Sequence, residues 1–342
     1  MTYVEWLRVR GVLRWTAIVL IGAAVVTLVA RLTLLTPASS GPYAIIQKVE
    51  SDPRSRVVVT MLPDGTKRTT VDNPNGPVHV VIDDRGYQGK HIEITQPSGG
   101  DLTGRDISMP WFNLESHTTE GRTTAVIVTA PPQSFGLYAG FAAFIALIVA
   151  TVLGAPFARE NNGHLEIALT KPIGRRALVL ATMGVDLFGI FAAWIAGILF
   201  LIAVQAMFYS FPHLIFDGQA AIIVALSVLT IAAWYCLLAS ATASIKSGYG
   251  ALLGLAWPIA LGVQGAAKFN FGPSQFGQVV HSVIVPFTWI NPLWSWNYSP
   301  TVTHAGGIAL ESGDPTLELT RLAVLALAYG ALAVFQWRRM EA

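Results

Sequence analysis

Asp186 is the acidic side chain that sits inside an apolar run long enough to cross a membrane, Ala177 to Phe208. Holding a carboxylate at that depth costs about 2.5–3.5 kcal/mol, so such a residue is first read as a proton or substrate site. The spacing favours another role. Leu187 to Phe208 is 22 residues and crosses by itself. Asp186 then falls at the inner headgroup boundary, near Arg175 and Arg176, as a structural ion-pair or interface charge.

Other chemistry is sparse. The chain has no G-x-x-x-x-G-K-[ST] loop, so it does not hydrolyse ATP by that route. It has no H-E-x-x-H and no G-x-S-x-G elbow. Its seven histidines (79, 91, 117, 164, 213, 281 and 304) lack metal-ligand spacing. No catalytic, cofactor-binding or metal site is expected on this chain, and no nucleic-acid partner. The single cysteine, Cys236, excludes an internal disulfide.

The longest polar-rich interruption between two membrane-length runs, outside one large hydrophilic insert, is Arg159 to Arg176, R-E-N-N-G-H-L-E-I-A-L-T-K-P-I-G-R-R. Within Glu160 to Leu169, helical spacing places Leu165, Ala168 and Leu169 on one face, with Glu160 and Glu166 beside them. Pro172 stops that helix, because the residue before a proline disfavours the α region. Arg175 and Arg176 hold the chain at an anionic surface as the next run begins. Two readings fit these residues: a short helix that docks into a groove on a soluble partner, or an ordinary cytoplasmic loop with arginines on its inner side.

These residues are positioned by a membrane chain. Of its 342 residues 53% are hydrophobic and 12% charged, about half the charge of a typical soluble protein. Mean hydropathy is +0.54. Spans are expected at about 16–35, 135–153, 177–208, 220–243, 249–263 and 319–337. The third run would extend about 48 Å as a helix, against a hydrocarbon core of about 30 Å. Residues 3–15, with Arg8, Arg10 and Arg14, suit either a helix lying in the inner interface or a basic anchor flank. The first run is too long for a cleaved signal and reads as an anchor. Lysine and arginine concentrate on one side, at Arg8, Arg10, Arg14, Arg159, Lys171, Arg175, Arg176, Lys246, Arg338 and Arg339. The positive-inside rule then puts both termini and the 159–176 stretch in the cytoplasm.

The insert, residues 36–134, reads as strands. R-V-V-V-T-M-L (56–62) and K-R-T-T-V (67–71) flank the turn Pro63-Asp64-Gly65-Thr66. Further runs lie at 78–82, 91–95 and 122–129. Such spacing predicts a small sandwich or barrel-like domain. Between the fifth and sixth spans, residues 264–318 are aromatic but broken by Pro273, Pro286, Pro292 and Pro300, which suggests short helices dipping into the outer leaflet.

The pattern E-x-x-G-x-L-E-x-x-L-x-x-P-x-x-R, here Glu160, Gly163, Leu165, Glu166, Leu169, Pro172 and Arg175, resembles the fingerprint of type-2 ATP-binding-cassette (ABC) exporter permeases. In that family the element is the coupling helix between the second and third spans, which docks on the ATPase. The resemblance spans the membrane part, with its N-terminal helix, six spans and re-entrant outer segment. It implies that 159–176, His164 and Arg176 included, contacts a separate ATPase. The chain departs from the pattern early in the third span, where Thr182 and Met183 stand in the region of a frequent lysine, and in the size of the insert.

The expected fold is therefore a membrane all-α protein of six transmembrane helices, with a β-rich extracytoplasmic domain inserted between the first and second spans. Its parts are 1–35 (interfacial helix and first span), 36–134 (the β-rich domain) and 135–342 (spans two to six). The resemblance implies a permease subunit of an exporter in the cell (inner or plasma) membrane. It is not an enzyme by itself; it pairs with a second permease, as a homodimer, and with two ATPase subunits that carry ATP and magnesium. The rival reading is a membrane-anchored binding or sensor protein that acts through the β domain.

Overall fold

The computed structural model describes residues 2–34, 53–72, 78–85, 90–99, 103, 107–109, 112–129, 133–160, 174–208, 214–245, 248–268, 275–298, 300–302, 308–310 and 314–339. Helices dominate, and six of them are long and apolar enough to cross a membrane, as expected of a multi-pass membrane protein. α1 spans Thr2–Leu34. It runs unbroken, so residues 3–15 form no separate interfacial helix; no proline interrupts them and Gly11 alone does not break the helix.

A β region follows α1 in chain order, with β1 Arg56–Met61, β2 Lys67–Asp72, β3 His79–Asp84, β4 Lys90–Pro97, β5 Ile107–Met109, β6 Phe112–Thr119 and β7 Arg122–Thr129. Instead of a sandwich or barrel, these seven strands make one sheet in the order β1-β2-β3-β4-β7-β6-β5, every pair antiparallel. The apolar residues of the strands line up on one face. Val71, Val80, Ile94 and Ala125 stand in one row, and Ile82, Ile92, Ile127 and Leu114 in the next. Strand β6, F-N-L-E-S-H-T-T, carries no alternating apolar signal, because from Glu115 onward it is polar. Its signal was the turn that follows. Glu120 and Gly121 both have positive φ (51° and 77°), the two-residue hairpin geometry in which glycine is favoured. The predicted 63–66 turn is present, with Gly65 at φ 81° and the Thr66 N–H donating to Asp64 Oδ1 at 3.0 Å.

The remaining elements are β8 Gln133–Ser134, α2 Phe135–Leu153, α3 Pro156–Glu160, α4 Arg175–Phe208, β9 Leu214–Ile215, α5 Gly218–Thr242, α6 Tyr249–Lys268, α7 Gln275–Ile290, a 3-10 turn Pro292–Tyr298, β10 Pro300–Val302, β11 Ile308–Leu310 and α8 Pro315–Arg339. β8 and β9 pair in parallel and β10 with β11 antiparallel. Short caps start the second and fourth spans: Ser134 accepts from the Gly136 N–H, and Asp217 from the Ala220 N–H at 2.7 Å. Between α6 and α8 the described residues hold one α-helix of 16 residues, α7, which continues through Pro286. At about 24 Å it is too short to cross, as anticipated.

α2 and α5 form the middle of the bundle. α4 and α5 pack against α2, α1 against α4, and α8 against α5. The buried face of α2 is rich in small residues, Ala139, Ala142, Ala143, Ala146 and Ala150, set beside Tyr138, Leu147 and Leu153, while Phe141, Phe144, Ile148 and Val152 point outward. In water the larger side chains would be inside. In lipid there is no penalty for exposing them, and small residues let helix backbones approach closely. Gly197 of α4 sits against Ala142, and a Cβ there would lie 3.2 Å from the Ala142 methyl.

In the sheet, Arg68 of β2 forks onto Asp83 of β3 with two 2.7 Å hydrogen bonds. The guanidinium holds the Asp83 carboxyl below its ordinary 3.8. A depressed acid stabilises the fold above its unfolded pKa, and that contribution disappears as pH falls through the lower folded value. Arg68 is 44% exposed, so the pair contributes about 1 kcal/mol. Asp83→Asn should lower sheet stability by about that amount at pH 7 and by progressively less as pH falls below 3.8, read by thermal unfolding across that range.

Candidate functional site

Two regions are candidates: the polar stretch after α2, and the buried charges that tie helices together. Of the expected docking residues, Glu160 ends α3, and Arg175 and Arg176 open α4, with Arg176 exposed. Gly163, His164, Leu165, Glu166, Leu169 and Pro172 lie outside the described residues.

What leads into the stretch is firmly seated. Ala155, Phe157 and Ala158 are fully or almost fully buried. The Phe157 ring packs against Trp337 near the end of α8, with centroids 4.7 Å apart. Thr242, at the end of α5, donates to the Gly154 carbonyl at 2.8 Å. Gly154 must be glycine, since a Cβ there would stand 2.7 Å from Leu238 Cβ. One turn earlier, the Thr151 hydroxyl accepts the indole N–H of both Trp234 (α5) and Trp257 (α6), each at 3.0 Å, and donates to the Leu147 carbonyl at 2.8 Å. A displacement of 159–176 therefore has a contiguous path into α2, α5, α6 and α8.

At the far side of the stretch, Asp186 is fully buried on α4. Its carboxylate pairs with the Arg8 guanidinium of α1 and accepts the Tyr235 hydroxyl of α5 at 2.7 Å. Asp186 is ion-paired, but with Arg8 in place of the expected neighbours Arg175 and Arg176. Arg175 and Arg176 lie ten or eleven residues back, about 15 Å along the helix, beyond the reach of a salt bridge. The approach of α1 is enforced by Gly189, whose missing Cβ leaves the space filled by fully buried Val9. The signal for Arg8 was available: of the three N-terminal arginines it stands beside Val9 on the face formed with Val12 and Leu13, while Arg10 and Arg14 are exposed.

A third cluster holds the outer segment. Arg321, near the start of α8, is buried and forks onto Glu318, one turn before it. Its Nη1 donates to the carbonyls of Thr288 (3.3 Å), Trp289 (2.8 Å) and Asn291 (3.1 Å), where α7 ends. The Thr288 carbonyl also accepts the Asn291 N–H at 3.3 Å and the Asn291 carbonyl the Trp294 N–H at 3.1 Å, so Arg321 adds a charged donor to them, and a cation at this end of α7 offsets the helix dipole. Asn291 Nδ2 donates to the Ala260 carbonyl of α6 at 2.9 Å. A cleft of about 300 Å³ opens beside this knot, lined by Trp289, Trp294, Thr288, Glu318 and Arg321 among others. The sequence reading assigned Arg321 no role, although the E-x-x-R spacing marks an opposite-charge pair on one helix face.

Among the described residues, no three histidine, cysteine, aspartate or glutamate side chains come together to hold a metal. Comparison of the chain with protein-family models, curated proteins and solved structures finds no match.

Removing either charge of the Arg8–Asp186 pair should cost about 3 kcal/mol, because the other is left buried without compensation. Arg8→Met combined with Asp186→Leu should be less destabilised than either single variant in detergent thermal unfolding. Arg321→Lys should lower stability by about 2 kcal/mol, since an ammonium cannot reach the carboxylate and three carbonyls together; the same unfolding assay reads it.

Proposed function

We propose that this chain is the membrane-embedded permease subunit of an ABC exporter, driven by ATP hydrolysed on a separate subunit. The observation that carries the reading is the E-x-x-G-x-L-E-x-x-L-x-x-P-x-x-R pattern of 160–175, which lies between the second and third of six membrane-length helices. In this reading two copies of the permease face each other with two ATPase subunits beneath, in the cell membrane, with both termini and 159–176 cytoplasmic and the β sheet outside.

Closure of the ATPases on ATP pushes the stretch. The push passes along two routes. One runs through Gly154 and Phe157 to the ends of α5 and α8. The other runs through α4 to Asp186, and so to Arg8 of α1 and Tyr235 of α5. The spans then rearrange as packed bodies and a path between the two permeases opens outward. The buried charges act here as joints that keep helices in register; no proton transfer is assigned to Asp186.

Replacing Leu165 by Asp together with Glu166 by Lys should abolish co-purification with the partner ATPase, and ATP hydrolysis by the complex with it. Membrane insertion should be unchanged. Full assembly and activity of that variant would refute the docking role and favour the sensor reading.

A further inference from the structure

Among the described residues, the first strand of the sheet has an open side. β1, R-V-V-V-T-M, is the terminal strand in the sheet order, and all six of its residues are exposed. Val57, Val58, Val59 and Met61 are 46%, 41%, 54% and 67% exposed. Natural sheets blunt such an edge with proline, bulges or inward charges. Between Val57 and Met61 there are none, and the pairing with β2 is continuous from Arg56↔Asp72 to Met61↔Lys67.

The direction of the free backbone groups follows from the hairpin. The Leu62 N–H donates to the Thr66 carbonyl at 2.9 Å, so these two residues form a hydrogen-bonded pair. Antiparallel strands alternate such pairs. Thr60 and Val58 therefore turn their N–H and C=O toward β2, and Val57, Val59 and Met61 turn theirs outward. The side chains of Val57 and Val59 lie on the same sheet face as their partners Val71 and Thr69, so the apolar rows of the core run out to this edge.

We infer that this edge is where a second copy of the chain docks, β1 against β1, antiparallel about Val59. The strand is complementary to itself when the two-fold passes through Val59. With Val59 opposite Val59 of the second copy, Val57 faces Met61 and Met61 faces Val57, so all three outward residues of each copy find partners and six backbone hydrogen bonds form. A slide of two residues about the same axis brings Pro63 or Pro53, neither with an N–H, opposite an outward residue. In the Val59 register Arg54 of one copy comes opposite Asp64 of the other, at both ends of the pair. Opposed positions on antiparallel strands share a face, so Val57, Val59 and Met61 of both copies extend one apolar surface. An unrelated extended peptide would supply backbone partners as well, but not this two-fold match of charge and apolar positions.

The inference rests on the two-copy part of the proposed function and adds the surface that joins the copies. Its test is cysteine cross-linking of the full chain in native membranes, in a Cys236→Ser background. The register puts the two Val59 Cα atoms about 5.5 Å apart, within the disulfide range. Two Val57 or two Met61 positions would be separated by four residues of strand, about 13 Å. Under mild oxidation Val59→Cys should give at least ten times more disulfide-linked dimer than Val57→Cys or Met61→Cys alone, and co-expressed Val57→Cys and Met61→Cys chains should link to each other. A chain that is dimeric by native mass spectrometry but cross-links no better through Val59→Cys overturns the inference and leaves the permease reading intact. So does preferential self-linking at Val57→Cys. A monomeric chain overturns it together with the two-copy arrangement.

Discussion

A carboxylate buried among membrane helices has to be answered by a cation and hydrogen-bond donors, and Asp186 is answered by two other helices. Arg8 comes from α1 and Tyr235 from α5. α1 is otherwise exposed along nearly all of its membrane-length window, so apolar burial gives it little reason to choose one neighbour over another. The ion pair and the Val9–Gly189 contact supply that reason. Such a pair adds less to net stability than its contacts suggest, because both ions were desolvated to make it. Its larger effect is to specify which helices meet and at what height.

The same logic recurs at two other levels of the bundle. Thr151 gathers the indoles of α5 and α6 on one hydroxyl. Arg321 joins the start of α8 to the end of α7 by donating to three carbonyls there. Between these knots alanine-rich faces pack against larger side chains such as Ile190, Trp194, Ile231 and Leu238. Packing of this kind is close and directional, so helices joined by it shift as units. That is the property the proposed coupling through 159–176 requires.

The β region obeys the rules of a water-facing sheet: alternation along each strand, one apolar face and tight hairpins. Its two edges differ. β5 is three residues long, whereas β1 offers six residues that are exposed and regularly paired on one side only. A sheet that leaves a long valine-rich edge open is either prone to aggregate or completed by another chain.

Much of this architecture was legible in the residues. Hydropathy alone placed the second to sixth spans close to the observed helices, because a membrane-length apolar run has few other stable forms; the first helix starts at Thr2, well before the expected 16, because its arginine-bearing start continues the same helix. Alternation and turn chemistry found β1 to β4 and β7. The bridge through β6 escaped because a mostly polar strand carries no period-two apolar signal, and one sheet cannot be told from a sandwich by strand count. The polar partners were beyond the sequence. Arg8 and Asp186 are 178 residues apart, and Arg321 meets carbonyls, which every residue possesses. What the sequence determined by itself is which segments are helical, apolar or extended, since those depend on neighbours along the chain. Which helix answers Asp186, and what caps α7, was decided by the tertiary structure, because a buried charge or carbonyl is satisfied by whichever donor the packing brings within 3 Å.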